Sequence, residues 1–299
     1  MSREPRSADK RFAAMNERQR IWLVVNDASG SNDEQAREEL EQCCGDAGFH
    51  VDRTIGFPVD DLPDSAALDS AGIGLVAVFA GDGTTNTVIE KLAGWGGAVL
   101  VLPGGTMNLL YHRLHGERTA DEVVRLVAGG EAVAHRPGVI RCRQGTAYAD
   151  LLAGPGTSWY DVREAMREAD VVGVAESAAS AIGETLTTPG ILCRDPRLGR
   201  MEGYPLVMLT PSDAGIRVSG FHAETIGDYF REGVALLTRK FREGPRDDLG
   251  TSRQVTLAST DGEAFGILMD GEKVESPAEQ VFRLVPCEVD LLATVSDGK

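Results

Sequence analysis

Two short segments carry the residue types that phosphate handling needs. Ala80–Asn86 reads AGDGTTN, and Pro103–Asn108 reads PGGTMN. Each follows a short apolar run, GLVAVFA at Gly74–Ala80 and AVLVL at Ala98–Leu102, and each opens an amphipathic stretch. Both contain Gly-Thr-x-Asn, as Gly83-Thr84-Thr85-Asn86 and Gly105-Thr106-Met107-Asn108. Glycine admits positive φ and lets a backbone approach a ligand closely. A helix that starts there offers free N–H groups and the positive end of its dipole, where an anion can settle. The Thr and Asn side chains add hydrogen bonds. Asp82, flanked by Gly81 and Gly83, would repel bare phosphate; it suits a turn that meets Mg²⁺ bridging phosphates, or a hydroxyl. One strand-to-helix turn of this composition is ordinary in an α/β domain. Two matching turns on successive strands point to a nucleotide-phosphate site.

Other motifs fall away. There is no G-x-x-x-x-G-K-[ST] segment, which excludes a P-loop. GIGLVA at Gly72–Ala77 matches G-x-G-x-x-A but leads into a strand, so it reads as accidental. His112 and His115 lie three apart on an expected helix with no third ligand in view, and they read as surface residues. Ser158, in GPGTSWYD, lacks the G-x-S-x-G elbow of a hydrolase nucleophile.

The elements needed to position the two turns are legible in the first third. Ile21–Asn26, His50–Ile55, Gly74–Ala80 and Ala98–Leu102 read as strands. Ser31–Ala47 (with Asn32 or Asp33 as cap), Thr85–Ala93 and Met107–Leu114 read as helices. Strand–helix alternation implies a parallel sheet covered on both faces. In such a sheet both turns emerge at the strand ends that usually form the ligand edge. The pattern changes near Glu131. Beyond it come short runs bounded by turn residues, among them Tyr148–Ala153, Leu206–Leu209, Ile216–Ser219, Gln254–Ala258, Phe265–Met269, Val281–Val285 and Val289–Ala293. Helical stretches at Tyr160–Val172 and Thr225–Phe241 interrupt them. The expected fold class is therefore α/β. A nucleotide-binding domain at 21–135 is followed by a β-rich sandwich at 136–299, with residues 1–20 a basic arm.

Composition limits the function. The chain has 299 residues and a formal charge of −16, from 30 basic and 46 acidic residues. A phosphate backbone repels such a surface, so no nucleic-acid partner is expected. No apolar stretch approaches the roughly 20 residues of a membrane span. The five cysteines (Cys43, Cys44, Cys142, Cys193, Cys287) show no C-x-x-C spacing, which suits a reducing compartment and no structural zinc. Cys43 and Cys44 read as small apolar filler on a helix.

The two turns resemble the GGDGT-N and P-x-G-T-x-N signatures of the diacylglycerol kinase catalytic-domain family, which includes sphingosine, ceramide and bacterial lipid kinases. VNDASG at Val25–Gly30 resembles the family's N-P-x-S-G turn, and LMDGEKV at Leu268–Val274 its late D-G-E motif. The resemblance extends over roughly residues 21–293 and implies an active-site cleft between the two domains. It implies transfer of the ATP γ-phosphoryl group, with Mg²⁺, to the hydroxyl of a diacylglycerol or of a sphingoid or ceramide-like lipid. The enzyme would be cytoplasmic and would meet its lipid at the membrane surface. On the resemblance, Asn26, Ser29 and Gly30 lie near the nucleotide; Gly81, Asp82, Gly83 and Thr84 form the phosphate turn; and Gly105, Thr106 and Asn108 line its other side. Glu272, with Asp270 close by, is then the candidate base for the acceptor hydroxyl. Of the two D-G-E triplets, Asp261-Gly262-Glu263 joins two apolar runs and reads as a hairpin turn, whereas Asp270-Gly271-Glu272 matches the family's context.

The chain departs from the family at several places. Ala80 replaces a glycine, and Asp27 stands where proline is usual. Leu109 and Arg136 occupy positions that many members fill with acids, and ADLLAGPG (Ala149–Gly156) is a loose version of the F-x-N-x-x-G-x-G strand. Two further readings stay open. One is a kinase of a soluble acceptor, since NAD kinases share a related turn. The other is a degenerate nucleotide- or lipid-binding protein without catalysis. Metal ligands and oligomeric state are not read from the sequence.

Overall fold

In the computed structural model, which describes residues 19–26, 34–154, 190–222 and 246–295, the apolar runs of the first third become parallel strands. The chain divides into two units, one of residues 1–137 with 286–299, the other of residues 138–285. The expected helices at Tyr160–Val172 and Thr225–Phe241, and most of the basic arm, lie outside the described residues.

The first unit is built on β1 (Gln19–Val25), β2 (Phe49–Gly56), β3 (Leu75–Ala80), β4 (Ala98–Pro103), β5 (Val133–His135) and β17 (Asp290–Ala293). Their order in the sheet is β2-β1-β3-β4-β17-β5. The pairings from β2 through β17 are parallel, and β5 closes the sheet antiparallel to β17. Every residue of β3 is buried, as an inner strand covered on both faces requires. Each such Leu, Val or Phe stabilises the fold by about 1.5–3 kcal/mol.

The helices of this unit are α1 (Glu34–Asp46), α2 (Ser65–Ala71), α3 (Asp82–Lys91), α4 (Leu109–His115) and α5 (Ala120–Ala128). Cys43 and Cys44 lie on α1, buried, as expected of apolar filler. α3 begins three residues earlier than the sequence pattern implies, because Gly81 in extended conformation ends the turn at once. α2 and α5 are additional to the expected helices. Asp64 caps α2, and Thr119 with Glu122 forms a reciprocal capping box on α5; local hydrogen bonds of this kind hold short helices that periodicity misses.

Two sequence expectations are corrected here. The β-rich domain does not run to residue 299. β17 returns to the first sheet, pairing Asp290 with Ala98 and Leu291 with Val99. Leu291 and Leu292 are both fully buried there, which a strand in an α/β sheet demands on both its faces. His115 is not a surface residue either. It is buried on α4, with Nδ1 3.1 Å from the Thr294 hydroxyl and its ring against Tyr111.

The second unit is a pair of sheets. One contains β8 (Leu151–Ala153), β10 (Leu206–Ser212), β11 (Gly215–Phe221), β12 (Asp247–Ser252), β14 (Phe265–Met269) and β15 (Glu272–Ser276), in the order β12-β11-β10-β8-β14-β15. The other contains β6 (Gly138–Arg141), β7 (Thr146–Ala147), β9 (Ile191–Asp195), β13 (Gln254–Ser259) and β16 (Glu279–Pro286), in the order β7-β6-β16-β13-β9. Ile140, Val255, Leu257 and Phe282 of the second sheet pack with Leu151, Leu209, Val218 and Ile267 of the first in one core. That is the sandwich expected from short, alternating strands.

The hairpin expected at the first D-G-E triplet lies at the second. Asp261-Gly262-Glu263 connects β13 of one sheet to β14 of the other, so it is a crossing and not a hairpin. Asp270-Gly271 is the hairpin. Met269 pairs with Glu272 across it, and both turn residues have positive φ (49° and 90°), the type I′ pattern.

Candidate functional site

Register brings the two glycine turns together. β3 and β4 run parallel with Phe79 opposite Leu102 and Ala80 opposite Pro103. Both chains therefore leave the sheet at the same level, Gly81 beside Gly104 and Gly105. The Gly104 amide donates to the Ala80 carbonyl at 3.2 Å. A Cβ built on Gly105 would stand 2.5 Å from the Gly81 Cα, so the two backbones touch where only glycine fits. β1 ends level with them, since Val25 lies opposite Phe79. Asn26 follows directly, and its amide nitrogen donates to the Thr84 hydroxyl at 2.8 Å.

The two turns are also joined through side chains. Asp82, the first residue of α3, accepts from the Leu110 amide at 3.2 Å through one carboxylate oxygen. Asn108 adopts the left-handed conformation at the start of α4 and turns its side chain back on its own loop. Its Oδ1 accepts from the Gly105 amide, and its Nδ2 donates to the Gly105 carbonyl, both at 2.8 Å. Thr84 and Thr85 are buried, and Thr106 is exposed. Neither Gly81 nor Asn108 caps its own helix through a side chain, and the first-turn Leu110 amide of α4 is taken by Asp82 from the other turn. Asn26, Gly81, Asp82, Gly83, Thr84, Gly105, Thr106 and Asn108 thus lie on three adjacent strand ends. Ser29 and Gly30 lie outside the described residues.

Beside this edge is a cavity of about 630 Å³, which the sequence did not announce. Val25, Thr54, Phe57 and Pro58 line it from the strand ends, Arg37 and Glu41 from α1. Thr54 donates to Glu41 at 3.0 Å. Its residues come from three separate segments, so no contiguous motif marks it.

In the second unit, Glu272 is exposed at the first position of β15. Asp270 is buried. Its carboxylate accepts from the amides of Tyr148, Ala149 and Asp150 at 2.7, 2.8 and 3.0 Å. Burial pushes this carboxyl up to about 7, the neighbouring Asp150 pushes the same way, and the three amides pull against both. An Asp-Gly pair between two apolar runs is the sequence signal for this turn. The amide cradle around its carboxylate has no local signal.

Among the described residues no group of three His, Cys, Asp or Glu side chains is arranged to hold a metal. No helix of the described residues is long and apolar enough to cross a membrane.

Comparison with known proteins agrees with the fold. No curated protein matches the sequence. A structure from Bacillus anthracis Sterne described as a diacylglycerol kinase superposes with a TM-score of 0.57 at 15% identity, over 92% of this chain and 97% of that one. Two more structures from the same organism, assigned provisionally to diacylglycerol kinase, give TM-scores of 0.56 and 0.54 at 15% identity. They cover 93% and 91% of this chain and 97% and 96% of their own. Likeness at this identity concerns the fold. The sequence match lies in the first unit, where residues 20–139, which include both glycine turns, match the family model described as the diacylglycerol kinase catalytic domain.

Proposed function

We propose that the chain is an ATP-dependent lipid kinase that moves the γ-phosphoryl group to the hydroxyl of a diacylglycerol, or of a sphingoid or ceramide-like lipid, at a cytoplasmic membrane surface. The observation that carries this reading is the backbone contact between Gly81 and Gly105, which seats the starts of α3 and α4 side by side at one sheet edge. The donors there fit nucleotide phosphates: backbone amides and hydroxyls, with no basic side chain required. The adjoining cavity, with Phe57, Pro58 and Val25 on one side and Arg37 and Glu41 on the other, is of a size and polarity for a nucleoside.

The one carboxylate among the described residues of the glycine turns, Asp82, suits Mg²⁺, which keeps waters and phosphate oxygens as most of its ligands. Asp82, at the start of α3, is the residue that would hold it. When bound, Mg²⁺ offsets the charge of the phosphates. Asn26 fixes the Thr84 hydroxyl, and the glycines let the loops approach the ligand. Glu272 is the group assigned to accept the proton of the lipid hydroxyl.

Leu109 and Arg136, where acids are expected, favour a second reading in which nucleotide is bound without transfer. Arg136 is exposed and pairs with Asp290 at 3.2 Å.

The test is incubation of the protein with lipid extract, γ-labelled ATP and Mg²⁺, with new phospholipid read by mass spectrometry. A labelled lipid that falls roughly 100-fold or more in Asp82→Asn supports the kinase reading. Nucleotide binding without a labelled lipid supports the second, and full transfer by Asp82→Asn removes the assigned role of that acid.

A further inference from the structure

The late hairpin contains a group that phosphoryl transfer does not use directly. Asp270 is 4% exposed and Asp150 6%. Three amides close on the Asp270 carboxylate, and the Asp270 amide donates in return to the Asp150 carbonyl at 3.0 Å. Four hydrogen bonds therefore tie a two-residue turn to the three residues that lead into β8. The turn does not need them, because Asp-Gly forms a type I′ hairpin unaided. Their effect is to fix the height of the turn against β8. Glu272 is two residues beyond Asp270, and its pairing with Met269 closes the same hairpin. Any displacement of the turn displaces Glu272.

The neighbourhood is acidic. Asp150 precedes β8, and β15 brings Glu272, Lys273 and Glu275, while β10, on the far side of β8, brings no charge. Asp150 is the charged neighbour that opposes ionisation of Asp270, and burial opposes it more strongly. A neutral Asp270 has one oxygen carrying a proton, which weakens its grip on amide donors.

We propose that Asp270 is a positioning residue, whose closure on the amides of Tyr148, Ala149 and Asp150 sets where the hairpin holds Glu272, and that Asp150 governs how firmly it closes. The proposal rests on the reading of Glu272 as the proton acceptor.

Two measurements test it on the full chain, with Asp270→Asn and Asp150→Asn beside the parent. The first is hydrogen-exchange protection of the three amides between pH 5.5 and 9, which needs no activity. Protection is expected to fall on acidification through about pH 7 in the parent, at lower pH in Asp150→Asn, and to stay weakened and independent of pH in Asp270→Asn, whose neutral amide keeps one acceptor oxygen. Equal profiles in all three proteins overturn the proposal. The second is phosphate transfer from Mg-ATP to 1,2-dioleoylglycerol in mixed micelles. Asp270→Asn should lower kcat roughly 10- to 100-fold with the KM for ATP unchanged, and Asp150→Asn should move the acid limb of kcat to lower pH. Loosened amides with kcat unchanged overturn the positioning role. A parent protein that transfers nothing sinks the kinase reading instead, and the exchange profiles then decide the Asp150–Asp270 coupling alone. Should Asp270→Asn fail to fold, Asp150→Asn decides both measurements.

Discussion

Gly81 and Gly105 meet asymmetrically. A Cβ on Gly105 would lie 2.5 Å from the Gly81 Cα, whereas a Cβ on Gly81 would lie 3.5 Å from the Gly105 Cα. The first distance is a collision with backbone, the second an ordinary contact. Gly105→Ala is therefore expected to cost about 1–3 kcal/mol and to push the two turns apart. Gly81→Ala should stay within about 1 kcal/mol of the parent. Chemical denaturation measures both. Equal midpoints for the two variants would contradict the contact.

Asn26 reaches across from β1 to the Thr84 hydroxyl, which opens the first turn of α3. Asn26→Ala removes a donor to a mostly buried group and is expected to cost about 1 kcal/mol. Thr84→Val removes the acceptor, and the double variant should cost less than the sum of the two. A double-mutant cycle by urea unfolding checks this; strict additivity would mean that the bond contributes nothing.

His115 predicts a pH dependence of stability. Burial lowers its pKa from 6.5 to about 4. The Thr294 hydroxyl and the Tyr111 ring face it, and Arg118 donates to its carbonyl. The unfolded chain takes up a proton below pH 6.5 that the folded chain refuses until about 4. This contribution is thus fully present above pH 6.5 and is lost as pH falls toward 4, by about 2–3 kcal/mol in all. His115→Gln should flatten that part of the stability profile in urea titrations from pH 7 to 4. An unchanged slope would show that other groups govern it.

Cys43 and Cys44 should resist alkylation. Burial pushes both thiols up, to about 12 and about 11, which leaves little thiolate at pH 8. Cys142 is only partly buried. Iodoacetamide at pH 8 is expected to label Cys142 ahead of the helical pair, and all three alike in urea. Peptide mapping reads the order, and prompt native labelling of Cys44 would mean that α1 opens.

Much of the first unit was legible because its signals are local. An apolar run such as Leu75–Ala80 followed by Gly-Asp-Gly announces a buried strand and a helix start within a dozen residues. The same logic placed the two glycine turns on one edge, since parallel strands align their ends. The signature Thr119-x-x-Glu122 of α5 was equally local and equally available. What the tertiary structure alone decided depends on distant segments. β17 pairs with a strand almost two hundred residues earlier, and nothing in DLLA distinguishes a sandwich strand from the inner strand of a parallel sheet. The burial of His115 follows from that return, because Thr294 comes with it. The sequence set Asp270 beside Glu272 as a site candidate but not what its carboxylate binds; its three partners are backbone amides, which leave no trace in residue types. Composition and periodicity report which local structures a segment can form, and long-range pairing chooses which buried surfaces and hydrogen-bond partners those structures receive.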